Sequence, residues 1–343
     1  MAYGSVLGRN TKPQFVPTFA ISGPLPGDTV TVSYGGTTVE AVEDNGVWYA
    51  KAWAYGSYTV RVGSKSTTVN VDEVKLYEVT LITVDTTLNN NSWDIIRKVA
   101  DMGQGSNYWN IGDRKAVTLN GTVGDLLLSN YTTYCFILGF NHNAELEGNN
   151  TIHFQFGKTA LSGGIDVCLC DGPYDLAVHA NGYFSMNSSL TNSGGWASSQ
   201  MRTGICGTNL SSYSGTIIGV IPAELRATLK AVAKYTDNTG NSIIESAVTA
   251  TTDYFFLLSA FEASGTIAYG NPNEENKQVQ YAYYSAGNSK IKYKHDDTST
   301  AAFWWLRSPR GGSTGQFLSI TSNGNINISN AVLSLGFAPG FCV

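Results

Sequence analysis

The sequence predicts a mixed α+β protein in two parts, a small β-sandwich and then a larger domain with helices beside an antiparallel sheet. Three observations predict it. Up to about residue 84, short β-branched and aromatic runs recur every eight to ten residues between Gly and Asn turns, the cadence of a sandwich. Beyond residue 92, apolar residues switch in places to helical spacing. Residues 134–140 then form an unbroken apolar run, as in a strand covered on both faces.

Residues 1–12 read as a flexible leader and 13–84 as the first domain. Its strands are expected at 29–34, 38–42, 47–53, 58–62 and 67–71, punctuated by Gly35-Gly36, Asp44-Asn45-Gly46 and Gly56. The polar, Asn-rich stretch 85–91 marks the boundary, and 85–343 forms the second domain. Ser92 caps a helix reaching Met102, with Ile95, Ile96, Val99 and Ala100 on one face and Gly103 ending it. A strand at 115–119 is expected to turn at Asn120-Gly121, and 151–156 to pair with 134–140. Residues 196–205 show a short helical pattern. Pro222 opens a further helix whose Leu225, Leu229 and Val232 share a face. A strand is expected at 254–258 and a short helix at 274–284.

The chain has 343 residues, enough for two cores, with a net charge of −5 and 14% charged residues. No basic tract supports tracking of a phosphate backbone, so nucleic acid is not an expected partner. Neither a signal-type apolar stretch at the start nor a window of membrane-spanning length is present, so secretion and membrane insertion are not expected either. Abundant Gly, Asn, Ser, Thr and Tyr suit a β-rich exterior protein. The five cysteines, Cys135, Cys168, Cys170, Cys206 and Cys342, are odd in number and irregular in spacing, so buried thiols are expected rather than a disulfide framework.

The last forty residues carry the most information. An aromatic knot, FWWLRSP (303–309), and a second apolar knot, GFAPGFCV (336–343), enclose a polar stretch in which single aliphatics alternate with Ser, Thr and Asn. Leu318, Ile320, Ile326 and Ile328 fall at period two, which predicts a hairpin. A two-residue loop at Asn323-Gly324 would mix the faces. A three-residue loop, Ser322-Asn323-Gly324 with Gly324 left-handed, pairs Ile320 with Ile326 and Thr321 with Asn325. On that register Ser319, Thr321, Asn325, Asn327 and Ser329 lie on the outward face, as on any solvated strand. Trp304 and Trp305 are expected to be buried on opposite faces of a covered strand, with Arg307 bonding nearby loop carbonyls.

Two family resemblances rest on quoted residues. YGSYTVRVGSKSTTVNV (55–71) resembles the closing hairpin of Ig-like and carboxypeptidase-regulatory-like modules of surface and phage structural proteins. The succession NIGDRKAVTLNG (110–121), CFILGFNHN (135–143), GGWASSQMR (194–202), YFFLLSAFE (254–262), VQYAYY (279–284) and FWWLRSP (303–309) resembles a family of C-type-lectin-like domains of bacterial and phage surface proteins. Its members include variable proteins of diversity-generating retroelements and phage receptor-binding tail proteins. The resemblance implies a fold in which WWLRSP is core and the segment after it, here 310–334, is a ligand-binding face. Where relatives commonly carry Arg in the closing motif, this chain has Ala338.

No catalytic constellation is visible. His142, His153, His179 and His295 are scattered, and His142 and His153 border core strands as satisfied structural histidines. Asn271 to Glu275 and the pair Asp296-Asp297 read as solvated loop charges rather than a calcium site. The formylglycine-generating oxidases share the lectin-like fold and use a reactive cysteine pair. In Cys168-Leu169-Cys170 the two thiols are expected on opposite faces of a strand, a poor arrangement for one shared metal or redox site.

The expected function is therefore non-enzymatic binding, with no cofactor and no metal. The expected site residues are Arg310, Ser313, Thr314, Gln316, Ser319, Thr321, Asn323, Asn325, Asn327 and Ser329, and the ligand a host cell-surface protein or glycan. The protein is expected in the virion as a phage tail component, joined to other tail proteins through its N-terminal domain and gaining avidity as a homo-oligomer such as a trimer. The alternatives are an adhesin of the same fold on the bacterial cell surface and an oxidase of the formylglycine-generating type.

Overall fold

Alternation of inward apolar and outward polar residues builds the N-terminal part strand by strand. In the computed structural model, which describes residues 16–24, 27–176 and 182–343, the chain divides into two compact units between Val84 and Asp85. The expected leader at 1–12 lies outside the described residues. The first unit contains β1 (Thr18–Ser22), β2 (Val30–Tyr34), β3 (Thr37–Glu40), β4 (Val42–Asp44), β5 (Val47–Lys51), β6 (Gly56–Val62), β7 (Lys65–Val71) and β8 (Leu76–Thr80). They form two four-stranded sheets, β4-β5-β1-β8 and β3-β2-β6-β7, antiparallel except for the β1–β8 pair. Phe19 and Ile21 of one sheet meet Val30, Val32, Tyr58, Val60 and Val62 of the other in a single core. β1 and β8 were not anticipated from the sequence, where prolines flank the first and charges precede the second.

In the second unit, Ser92 accepts the Ile95 N–H at 3.2 Å and starts helix α1 (Trp93–Asp101), the expected cap. Gly103 follows at φ +68°. Trp93 sets the helix against Phe154 and Phe341, edge to face at 5.6 and 5.9 Å between centroids. Those rings belong to a five-stranded antiparallel sheet made of β9 (Arg114–Val123), β10 (Leu126–Phe140), β11 (Ile152–Lys158), β15 (Phe255–Phe256) and β21 (Gly340–Cys342), in the order β15-β21-β11-β10-β9. The final strand β21 thus lies inside the sheet, and Val343 is fully buried.

The expected turn at Asn120-Gly121 does not occur there. β9 runs through it and the chain reverses at Gly124, while a register shift between Leu128 and Tyr131 absorbs the irregularity. Asn120 Oδ1 accepts the Asn130 N–H at 2.6 Å across this bulge, so the polar pair bridges a distortion instead of making a turn.

Smaller elements surround this sheet: β12 (Val167–Cys168), β16 (Lys292–Lys294) and β17 (Ala301–Ala302) in one group, and the hairpin β13 (Val232–Asp237) with β14 (Val248–Asp253) in another. The helix expected after Pro222 covers only Ala223–Thr228, so Val232 belongs to β13. The pattern at 196–205 resolves into a single turn, Gly195–Ser198, and a π-helical turn, Met201–Cys206. The helix expected at 274–284 resolves into two short pieces, Pro272–Asn276 and Ala282–Ser285. The last sheet holds β18 (Trp304–Pro309), β19 (Gln316–Ile320) and β20 (Ile326–Asn330).

Candidate ligand-binding face

β18 is the foundation of the C-terminal hairpin. All its residues are buried, Trp304 and Trp305 completely so. Their indole N–H groups donate in different directions, Trp304 to Lys290 O at 2.9 Å and Trp305 to Phe184 O at 2.8 Å. The strand therefore has protein on both faces. Arg307 donates to Leu257 O at 2.9 Å, the loop-carbonyl bond expected of it.

β19 and β20 pair in the three-residue register, Ile320 with Ile326 and Ser319 with Asn327. Thr321 N donates to Asn325 O at 2.8 Å, Gly324 N to Thr321 O at 2.9 Å, and Gly324 has φ +80°. Only a residue without a Cβ adopts that backbone without strain.

The ten expected site residues do not form one display. They fall into three groups along a strand about 14 Å long. At its base, Gln316 accepts from Arg310 at 2.5 Å and from Ser313 at 3.2 Å, and donates to Asn330 at 3.0 Å. Thr314 stands exposed beside them. At the tip, Asn323 and Asn325 are exposed, while Thr321 Oγ1 accepts both their backbone N–H groups at 3.3 and 3.1 Å and so fixes the turn.

Between base and tip, Ser319 and Ser329 are buried and bond each other at 2.8 Å, and Asn327 is half-buried. The expectation that Ser319 and Ser329 face outward is therefore wrong. Phe317 lies on the same side of β19 as Ser319 and is fully buried, so that side is covered as well.

The base is wider than the sequence suggested. Gly311 N donates to Tyr269 O at 2.8 Å and Gly312 N to Asn241 O at 2.9 Å. Asn192 Nδ2 donates to Ser313 O at 2.6 Å and Gln316 O at 2.9 Å. These bonds bring the exposed side chains of Ile243, Ile244 and Tyr269 alongside the loop. Tyr269 is held at φ +61°, a costly backbone for an aromatic residue. No periodicity marks this segment, so no sequence signal pointed to it.

Beneath β18 lies a charged network that the sequence did not disclose. Glu262 receives Arg307 on both carboxylate oxygens, and Arg307 also reaches Gln278 at 2.9 Å and Thr236 at 3.1 Å. Lys234 Nζ donates to Glu147 at 2.6 Å, Glu262 at 3.1 Å and Tyr281 at 3.0 Å. Burial alone would raise the Glu262 carboxyl, but Arg307 and Lys234 outweigh it and hold the group well below its ordinary value. His142, Glu147 and Glu262 converge closely enough to ligate a cation, yet the Lys234 ammonium already supplies the positive charge between the two carboxylates. The cluster reads as internally neutralised structure.

His153 donates to or accepts from Tyr281 at 3.0 Å, and the His142 ring stacks on Tyr281 at 3.7 Å between centroids. Both histidines are buried among core strands, as expected, but they are not fully satisfied, since the Nε2 of each has no hydrogen-bond partner among the described residues. Asn271 and Glu274, expected as solvated, are instead buried, with Asn271 Nδ2 on Ile244 O at 3.0 Å.

The five cysteines are buried free thiols. The expectation that Cys168 and Cys170 diverge is overturned, since their sulfurs lie 4.0 Å apart. Residues two apart in an extended chain share a face, and only immediate neighbours alternate.

Over residues 181–343 the chain is similar to a family described as a domain of unknown function, DUF6273. No curated protein and no solved structure matches it.

Proposed function

We propose that the protein is a non-enzymatic binding protein whose second unit is C-type-lectin-like and whose C-terminal hairpin meets a host cell-surface protein or glycan. The observation that carries this reading is the contrast within one hairpin. Its strands stand on a fully buried foundation, while Thr314, Asn323 and Asn325 are exposed with side chains that form no hydrogen bond among the described residues. A rigid scaffold offering small uncommitted polar groups loses little entropy when it binds. Tyr269, Ile243 and Ile244 add apolar area beside the base.

The resemblance of FWWLRSP and the motifs before it supports placing this face in a phage receptor-binding tail protein, diversified by a retroelement and oligomeric for avidity. In that setting an Ig-like N-terminal unit would join other tail proteins. A bacterial cell-surface adhesin would use the same face. The oxidase reading is disfavoured on physical grounds. The hydrogen bond from Cys168 and burial both push the Cys170 thiol up, whereas an enzyme's cysteine nucleophile, turning over at neutral pH, needs a lowered one.

The test is the triple substitution Thr314→Ala, Asn323→Ala and Asn325→Ala in the full chain, assayed for adsorption to a panel of bacterial cells. The expected result is lost adsorption at an unchanged melting temperature. Adsorption equal to that of the parent would place the binding face elsewhere.

A further inference from the structure

Cys168 and Cys170 have no part in the binding face, yet the fold holds them as a pair. Their sulfurs are 4.0 Å apart and both residues are buried. The chain around them is pinned on each side. Cys168 O accepts the His295 N–H at 3.1 Å, and Cys170 N donates to His295 Nδ1 at 3.2 Å. Between them, Leu169 exchanges both backbone hydrogen bonds with Phe337, at 3.0 and 2.7 Å. Opposite the pair stands Gly336, where a Cβ would lie 2.3 Å from Cys168 Sγ. A disulfide has its sulfurs about 2.0 Å apart, so closing this one needs an approach of about 2 Å, with the backbone at Leu169 drawing the two Cβ atoms together as the side chains rotate.

We propose that Cys168 and Cys170 form a redox pair that closes to an intramolecular disulfide on meeting a small-molecule disulfide of the glutathione class. One cysteine, as thiolate, attacks the oxidant's S–S bond and releases the first small thiol. The second cysteine then displaces the other small thiol from the mixed disulfide. Two protein S–H groups and one oxidant disulfide become one protein disulfide and two small thiols, which carry away both protons.

Because the pair is buried, the exchange is slow and accelerates with rising pH. Its structural effect falls on the hairpin's foundation. The bond would draw in the backbone at Leu169, which pairs with Phe337, next to Gly336, whose carbonyl accepts the Trp305 N–H at 3.0 Å.

The full native chain is incubated in glutathione mixtures of increasing oxidised fraction, denatured in the presence of an alkylating agent and digested with trypsin. Cleavage after Lys158 and Arg202 yields one peptide that contains Cys168 and Cys170 and no other cysteine. In oxidising mixtures this peptide is expected to be lighter by two hydrogen atoms and to alkylate only after reduction. Peptides bearing Cys135, Cys206 and Cys342 are expected to alkylate directly. A doubly alkylated 159–202 peptide at every mixture, or one carrying glutathione, would overturn the proposal. The readout uses the unmodified protein, so no variant needs to fold.

Discussion

Glu262 and Arg307 meet as a completely buried ion pair in which the carboxylate serves three structures at once. It caps the helix Ala260–Ser264, accepting the Ser259 N–H at 2.8 Å while Ser259 Oγ accepts the Glu262 N–H at 3.0 Å. The same carboxylate receives the guanidinium of β18 and the Lys234 ammonium of β13. One side chain therefore fixes a helix start, the foundation strand and the neighbouring hairpin. Removing Arg307 would leave a carboxylate facing one cation in place of two. Arg307→Ala is expected to cost about 3–5 kcal/mol, measured by urea unfolding of the second unit. Arg307→Lys should recover only part of this, because an ammonium cannot match the two-pronged bond.

The same network sets a pH dependence. Burial pushes the His153 imidazole well below its ordinary value, with Lys234 and His142 adding to the effect. Below about pH 6.5 the unfolded chain then takes up a proton that the folded chain refuses, so stability falls with falling pH. Glu262 is depressed in the fold. Its contribution is complete above about pH 4.3 and is lost as pH drops toward the folded value. Two successive acid losses are expected in the unfolding free energy. His153→Gln should flatten the first without abolishing it, since burial also lowers His295. An unchanged slope above pH 5 would remove His153 from this account.

Much of the architecture was legible because local rules decide it. Ser92, Gly103 and Gly324 act through caps and backbone angles that neighbouring residues cannot override. The three-residue loop followed from keeping Ile320 and Ile326 together. The charged network was not legible, because Glu147, Lys234, Glu262 and Arg307 are far apart in sequence, and although Arg307 stands in the aromatic knot, Glu147, Lys234 and Glu262 each look like an ordinary surface charge. The outward face failed for a readable reason. Phe317 alternates in phase with Ser319, and a bulky ring on a supposedly wet face signals that both faces are covered. Ser319 and Ser329 then make sense as small polar groups that satisfy one another in tight quarters.

At the hairpin tip, Gly324→Ala should cost about 1–2 kcal/mol through its left-handed backbone. The added methyl would also meet Ile291 Cγ1 at 3.3 Å. Thermal unfolding checks the direction. A neutral result would mean that the turn relaxes to another geometry.

In the first unit, Tyr58 and Tyr77 play matching parts. Each hydroxyl accepts two consecutive backbone N–H groups, from Trp53 and Ala54 at 2.9 Å and from Asp72 and Glu73 at 3.0 and 3.1 Å. Each also donates to a nearby backbone carbonyl, Ala54 O or Glu73 O, at 3.0 Å. Tyr58→Phe keeps the ring, stacked on Tyr34 at 4.7 Å, but leaves these groups unpaired. A loss of about 1–3 kcal/mol is expected from the unfolding transition of this unit, with adsorption to cells unaffected.

The Ser319–Ser329 pair offers the sharpest separation of scaffold from site. Each hydroxyl is buried with the other as its partner at 2.8 Å. Ser319→Ala or Ser329→Ala alone strands one buried hydroxyl, an expected loss of about 1–3 kcal/mol. Replacing both removes donor and acceptor together and should be nearly neutral, so the double variant ought to be more stable than either single one. Additive losses in urea unfolding would show that each hydroxyl has a partner of its own. Because both residues are buried, all three variants are expected to adsorb like the parent once folded, whereas changes at Thr314, Asn323 and Asn325 act on binding alone.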